Sequence, residues 1–171
     1  QNTNMLIDFF EGWLYRRKVR LIPRGVNTEK FYPGVVSSNE LRDTFGIPNE
    51  TLLVGCVAHL VPVKGHLTLI NAVDQLSDTH LLLAGKPLDE VYTDQLIRQI
   101  ESLGNRKRVH FLGNVQDVPE LLAQLDIVVL PTWNRWRREG CPVALLEAMA
   151  CGKACIATDV PGSRDIIEDS I

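Results

Sequence analysis

The sequence predicts an α/β protein built on a doubly wound parallel sheet, and three observations carry that expectation. Leu52–Val57, Leu81–Ala84, Ile127–Leu130 and Ala154–Ala157 are short, continuous apolar runs, the pattern of strands buried on both faces. Segments with helical apolar spacing lie between them, as βαβ units require. Turn-forming residues follow each run, and ligands of such sheets bind beyond the carboxyl ends of the strands. His59–Gly65, Gly85-Lys86-Pro87, Gly113-Asn114-Val115, Pro131–Pro142 and Thr158–Gly162 should therefore share one rim.

Taken in order, residues 1–18 place Met5, Leu6, Phe9, Phe10, Trp13 and Leu14 at helical spacing ahead of Arg16-Arg17-Lys18. Such a stripe either packs on its own protein, with the cations at the helix C-terminus, or lies on a membrane surface. Val19–Ile22 reads as a short strand stopped by Pro23; Arg24–Asn27 turns, and Phe31-Tyr32-Pro33 can tuck aromatics against the domain. Ser37–Glu40 opens a short helix that stops near Gly46-Ile47-Pro48. After the strand at Leu52–Val57, a helix is expected over His66–Leu76, with Leu67, Ile70, Val73 and Leu76 on one side. A second helix spans Tyr92–Leu103, a strand Val109–Leu112, and a third helix Val118–Ala123. The strand Ile127–Leu130, a helix over Pro142–Cys151, the strand Ala154–Ala157 and a helix from Ser163 complete the alternation. No internal repeat or low-complexity segment interrupts it.

A length of 171 residues fits one domain with a full core. The net charge of −3 gives no electrostatic reason to expect nucleic acid, and no apolar run reaches the length of a membrane span. No signal peptide opens the chain, and its start at Gln1 suggests a piece of something longer. Cys56, Cys141, Cys151 and Cys155 include no C-x-x-C pair and no histidine cluster. Free thiols are the expectation rather than zinc ligands, and Cys141 alone sits where a ligand can touch it.

The chemistry concentrates in Arg138–Gly152. Gly140 lets backbone approach a ligand, Pro142 suits the first helical position, and Gly152 closes the helix. First-turn amides and the helix dipole favour an anion before Gly140. Glu139 and Glu147 bracket that spot. A phosphate-friendly helix start flanked by two carboxylates fits a ligand combining phosphate with hydroxyls, as a nucleotide sugar does. Lys64, between the first core strand and a helix, can place its ammonium on a diphosphate. The run Thr132–Arg138 interleaves Trp133 and Trp136 with arginines; stacking on single-stranded nucleic acid is one use of such a run. Its position favours instead a loop that closes over a donor or faces another domain. Lys86, Asp126 and His110 read as solvent-facing or structural.

Glu139 through Glu147 resembles the E-x7-E motif of retaining glycosyltransferases with the GT-B fold, family 4 in particular. Ala148–Gly162 is similar to that family's continuation, and Ile22–Asn27 to the segment entering its donor-binding domain. The resemblance implies a Rossmann-like half of a GT-B enzyme over residues 19–171, truncated at its C-terminus, with 1–18 the tail of a preceding acceptor domain. It assigns Glu147 to the ribose hydroxyls and Glu139 to the transferred sugar, for positioning and charge stabilisation. Lys64 would grip the diphosphate; Gly113, Leu112 and Val115 would meet the base through backbone groups. Gly140, Cys141 and Pro142 would form the turn, and Leu145 and Leu146 would add backbone and apolar contact.

Four residues depart from the family's pattern. His59 stands where the family usually has the arginine of the diphosphate clamp, so either it donates a hydrogen bond or Arg135, Arg137 or Arg138 substitutes, with Arg138 favoured. Arg24 and Asn27 differ from the family's Asn and Asp, and Cys141 replaces a residue that is commonly aromatic. The resemblance further implies no cofactor and no metal, consistent with the lack of a D-x-D motif. It implies a UDP- or GDP-sugar donor, a sugar or lipid-linked acceptor read by the other domain, and a cytoplasmic place, with peripheral membrane association at the inner face open. The chain alone should bind nucleotide and transfer poorly. The alternative is a non-catalytic Rossmann-like nucleotide-binding or interaction module; a dehydrogenase fits less well, since no G-x-G-x-x-G follows the first strand.

Overall fold

The computed structural model describes residues 22, 24–35, 38–133 and 140–167. Five strands, β1 (Leu52–Val57), β2 (Thr79–Ala84), β3 (Val109–Gly113), β4 (Ile127–Leu130) and β5 (Ala154–Ala157), form one sheet in the order β3-β2-β1-β4-β5. Every pairing is parallel. β1 is central, with Val54 opposite both Leu81 of β2 and Ile127 of β4. The helices are α1 (Glu40–Phe45), α2 (His66–Asp74), α3 (Glu90–Ser102), α4 (Val118–Gln124), α5 (Val143–Ala150) and α6 (Pro161–Arg164). The doubly wound Rossmann-like architecture expected from the alternation is the one observed.

Strand periodicity divides the core in two. Val54, Cys56, Leu81 and Leu83 point to one face, where Leu69, Ile70 and Val73 of α2 and Tyr92, Leu96 and Ile100 of α3 cover them. Leu53, Leu82 and Val128 point to the other, against Leu121 and Leu122 of α4, Leu125, and Ala148 of α5. Gly55 lies where Leu125 needs room: a Cβ there would stand 2.2 Å from Leu125 Cδ1. Both faces of the central strands are thus buried, which is why Leu52–Val57 and Leu81–Ala84 read as unbroken apolar runs.

Element ends follow local hydrogen bonding. α3 starts two residues earlier than expected because Asp89 caps it, its Oδ1 accepting from the Tyr92 N–H at 2.9 Å. α2 stops at Asp74 rather than Leu76; the Arg108 guanidinium donates to the carbonyl of Leu76, which lies beyond the helix and is 50% exposed. Asp126 is structural as expected: its Oδ2 accepts from the Leu53 N–H at 2.7 Å and from Arg42 at 3.1 Å. His110 is likewise structural, stacked on His80 with ring nitrogens 3.0 Å apart and lying 4.3 Å from the Phe45 ring. Of the two aromatics expected to tuck in, Phe31 is buried and Tyr32 is 45% exposed. The expected N-terminal helix lies outside the described residues, as do Val19–Leu21 of the expected strand; Ile22 belongs to no strand.

Candidate active site at the carboxyl end of the sheet

In this strand order the chain leaves β1 toward β2 on one side and leaves β4 toward β5 on the other, so a crevice opens between the two exits. A cleft of about 340 Å³ lies there. Its walls come from Val57, Ala58 and His59 after β1, Ala84 and Gly85 after β2, Asn114 and Val115 after β3, Leu130 of β4, and Cys141–Ala144 at the start of α5. Lys64, half-buried, closes one side. Among the residues expected to form the site, the fold brings His59, Lys64, Val115, Cys141 and Pro142 together around this space.

Hydrogen bonds between neighbouring strand exits hold the rim. The Ala58 N–H donates to the Ala84 carbonyl at 2.9 Å, Leu60 N–H to Lys86 at 2.9 Å, and Gly85 N–H to Gly113 at 2.7 Å. Gly85 permits this closeness, since a Cβ there would stand 2.0 Å from the Ala58 carbonyl oxygen. Gly113 lies at the foot of the β3 exit, beside the lining Asn114, and Lys86 faces solvent as expected.

α5 presents its N-terminus to the cleft. Pro142 is not its first residue, as expected from sequence, but the one before: with φ −74° and ψ 99° it is extended, and its carbonyl accepts from the Leu145 N–H at 3.0 Å. A proline in extended conformation is compatible with capping, and the helix then begins at Val143. Gly140 is exposed, and a Cβ there would meet no protein atom within 4 Å. Leu145, at 1% exposure, belongs to the interior, and Leu146 is half-buried.

Glu147 stands one turn beyond the lining Val143, on the same side of α5. Partial burial pushes its carboxyl pKa up, while the positive charges of Lys30 and Arg24 pull it back. Glu139 and Arg138, together with Arg135 and Arg137, lie outside the described residues.

The thiols separate by environment, and all four are free. Cys56 is fully buried in β1, and burial pushes its pKa up to about 12, which leaves it inert. Cys141 is half-buried and lines the cleft. No cluster of three or more histidine, cysteine or acidic side chains suited to a metal ion occurs among the described residues. None of the described helices is long and apolar enough to cross a membrane.

Sequence reasoning missed Val57, Ala58, Ala84, Val118, Leu130, Val143 and Ala144 as lining residues. They carry no chemical signature; position just past a parallel strand, or in a helix's first turn, is the signal that finds most of them.

The profile of the family described as "Glycosyl transferases group 1" matches residues 37–171. The chain belongs to that family. This member is 27% identical over 174 residues to the UDP-Gal:alpha-D-GlcNAc-diphosphoundecaprenol alpha-1,3-galactosyltransferase of Escherichia coli, covering 98% of this chain and 43% of that protein. HepE of Anabaena, crystallised with UDP and glucose, superposes with a TM-score of 0.78 at 29% identity over 89% of this chain and 41% of HepE. The C-terminal domain of LpcC, a glycosyl transferase group 1 protein from Francisella tularensis, superposes with a TM-score of 0.68 at 28% identity, covering 85% of this chain and 76% of that domain. The chain spans about two fifths of the length of the curated relatives it matches.

Proposed function

We propose that this chain is the donor-binding part of a retaining glycosyltransferase that moves a sugar from a UDP- or GDP-sugar to an acceptor hydroxyl in polysaccharide or glycolipid biosynthesis. The observation that carries this reading is the convergence of Lys64, His59, Cys141 and the start of α5 on one cleft, with Glu147 a turn behind. The diphosphate lies between the Lys64 ammonium and the first turn of α5, where charge and helix dipole act on the leaving group. His59, exposed at the rim, donates a hydrogen bond in place of the family's arginine; unlike guanidinium it cannot form a fork. The base rests near Gly113 and Val115, and Glu147 accepts from the ribose hydroxyls. Glu139 positions the transferred sugar.

Transfer then needs no metal, the diphosphate being neutralised by protein cations, and the leaving diphosphate helps to deprotonate the acceptor. The acceptor, a sugar or a lipid-linked sugar, is read by a second domain of the whole enzyme, which works in the cytoplasm at the inner membrane face. The named relatives support the donor and acceptor classes: one uses UDP-Gal and a diphosphoundecaprenol-linked acceptor, and another was crystallised with UDP and glucose.

Calorimetric titration of this chain with UDP, GDP, ADP and NAD tests the reading. One nucleoside diphosphate should bind, and Glu147→Gln should weaken it about tenfold, the loss of hydrogen bonds to a charged acceptor. Equal binding by the variant would sink the ribose assignment. Glu139→Ala in a transfer-competent enzyme should abolish transfer and keep nucleotide affinity; unimpaired transfer would overturn the role given to Glu139, and equal loss of both would mark it as structural.

A further inference from the structure

We propose that Trp133 is a positioning residue for Lys64, so that the exit of β4 sets where the Lys64 ammonium stands. The proposal rests on the donor-binding reading above. Lys64 ends a three-residue 3-10 turn, Pro62–Lys64, between β1 and α2. The β4 exit meets this turn, and the start of α2 that follows it, at three places. The Trp133 backbone N–H donates to the Val63 carbonyl at 2.8 Å. The Trp133 indole Nε1–H donates to the Thr68 hydroxyl, on the first turn of α2, at 3.2 Å. The Pro131 carbonyl oxygen occupies the space beside Gly65, where a Cβ would come within 2.0 Å; with φ +70° that position suits glycine alone.

The β4 exit is itself fixed from the far side. Thr158, after β5, donates its hydroxyl to the Thr132 carbonyl at 2.6 Å and its N–H to the Leu130 carbonyl at 3.2 Å, and Thr132 is 2% exposed. Trp133 is thereby a strut from a rigid strand end to the turn that carries the cation. Its indole, 41% exposed, contributes little to the core. A lysine acts on phosphate as a point charge, so its effect depends on distance and on exclusion of water. Loosening the strut should therefore cost affinity for the second phosphate and spare the nucleoside.

The test is calorimetry on this chain with UDP against UMP, and GDP against GMP, for the wild type and for Lys64→Ala, Trp133→Phe, Thr68→Val and Thr68→Ser. Trp133→Phe and Thr68→Val each remove the indole hydrogen bond. Both should lower the diphosphate-over-monophosphate preference about fivefold, with monophosphate binding unchanged and Thr68→Ser restoring the preference. If Lys64→Ala collapses the preference and neither strut variant moves it, the Trp133 side chain has no positioning role and the proposal falls. Should Trp133→Phe fail to fold, Thr68→Val decides alone. If Lys64→Ala itself leaves the preference intact, the diphosphate role of Lys64 falls, and this proposal with it. A wild type that binds none of the four nucleotides overturns the donor reading.

Discussion

His66 shows what burial does to a single side chain here. It is fully buried at the start of α2, and neither ring nitrogen has a hydrogen bond of good geometry; the nearby Ala58 backbone only weakly favours the charged form. Burial holds its pKa down to about 4, and His110, stacked on His80, is also held to about 4. Both values lie below the unfolded histidine's 6.5, so the unfolded chain takes up protons first as pH falls. Stability present above pH 6.5 is lost between there and pH 4, by roughly 3 kcal/mol for His66 at full titration. Urea midpoints at pH 7 and 4.5 should differ accordingly, and His66→Gln should flatten the slope. Glu147 has the opposite sign: its raised carboxyl pKa marks a charge that the fold disfavours. Glu147→Gln should leave the melting temperature unchanged or slightly higher while nucleotide binding weakens. A fall in both would mark the carboxylate as structural.

Among the elements, the central strand is the most demanding. Gly55→Ala would drive a methyl group into Leu125, itself 2% exposed and packed under α4, and should cost about 1 to 3 kcal/mol by chemical denaturation without changing the cleft's chemistry. The elements were also the most legible level of the sequence. Ile127–Leu130 and Ala154–Ala157 match their strands residue for residue because both are short apolar runs with sharp edges, although β5 lies at the sheet edge with Ile156 56% exposed. Helix ends were less legible. The Asp89 cap could be read locally, but the capture of the Leu76 carbonyl by Arg108 joins residues 32 apart in sequence. Pro142 was displaced by one residue, since φ near −65° serves a cap as well as a first turn. In the site, charged and glycine-rich positions stood out in sequence, whereas Ala58, Ala84 and Ala144 gain their meaning only from where the strands end.

At the scale of the whole molecule, the described residues form a packed frame with the candidate cleft at the carboxyl end of its sheet. A ligand that binds only the folded chain stabilises it by mass action, about 2.7 kcal/mol at a hundredfold excess over Kd. The cognate nucleoside diphosphate should therefore raise the melting temperature in a concentration-dependent way, and Lys64→Ala should shrink that rise. No shift with any nucleotide at millimolar concentration would count against an autonomous binding site. The two packed faces beneath the cleft explain why such variants should still fold: His59, Lys64, Gly85, Asn114 and Cys141 line the cleft but belong to neither apolar cluster.

That separation has a historical consequence. The polar residues of the cleft, His59, Lys64, Asn114 and Cys141, answer to different demands from the apolar ones, because Val57, Ala58, Ala84, Val115 and Val118 also belong to the packed clusters. A lineage carrying this frame can exchange His59 after β1, Asn114 after β3 and Cys141 before α5, one substitution at a time, without disturbing either cluster. His59, exposed at the rim and outside both clusters, is the position where such freedom is greatest.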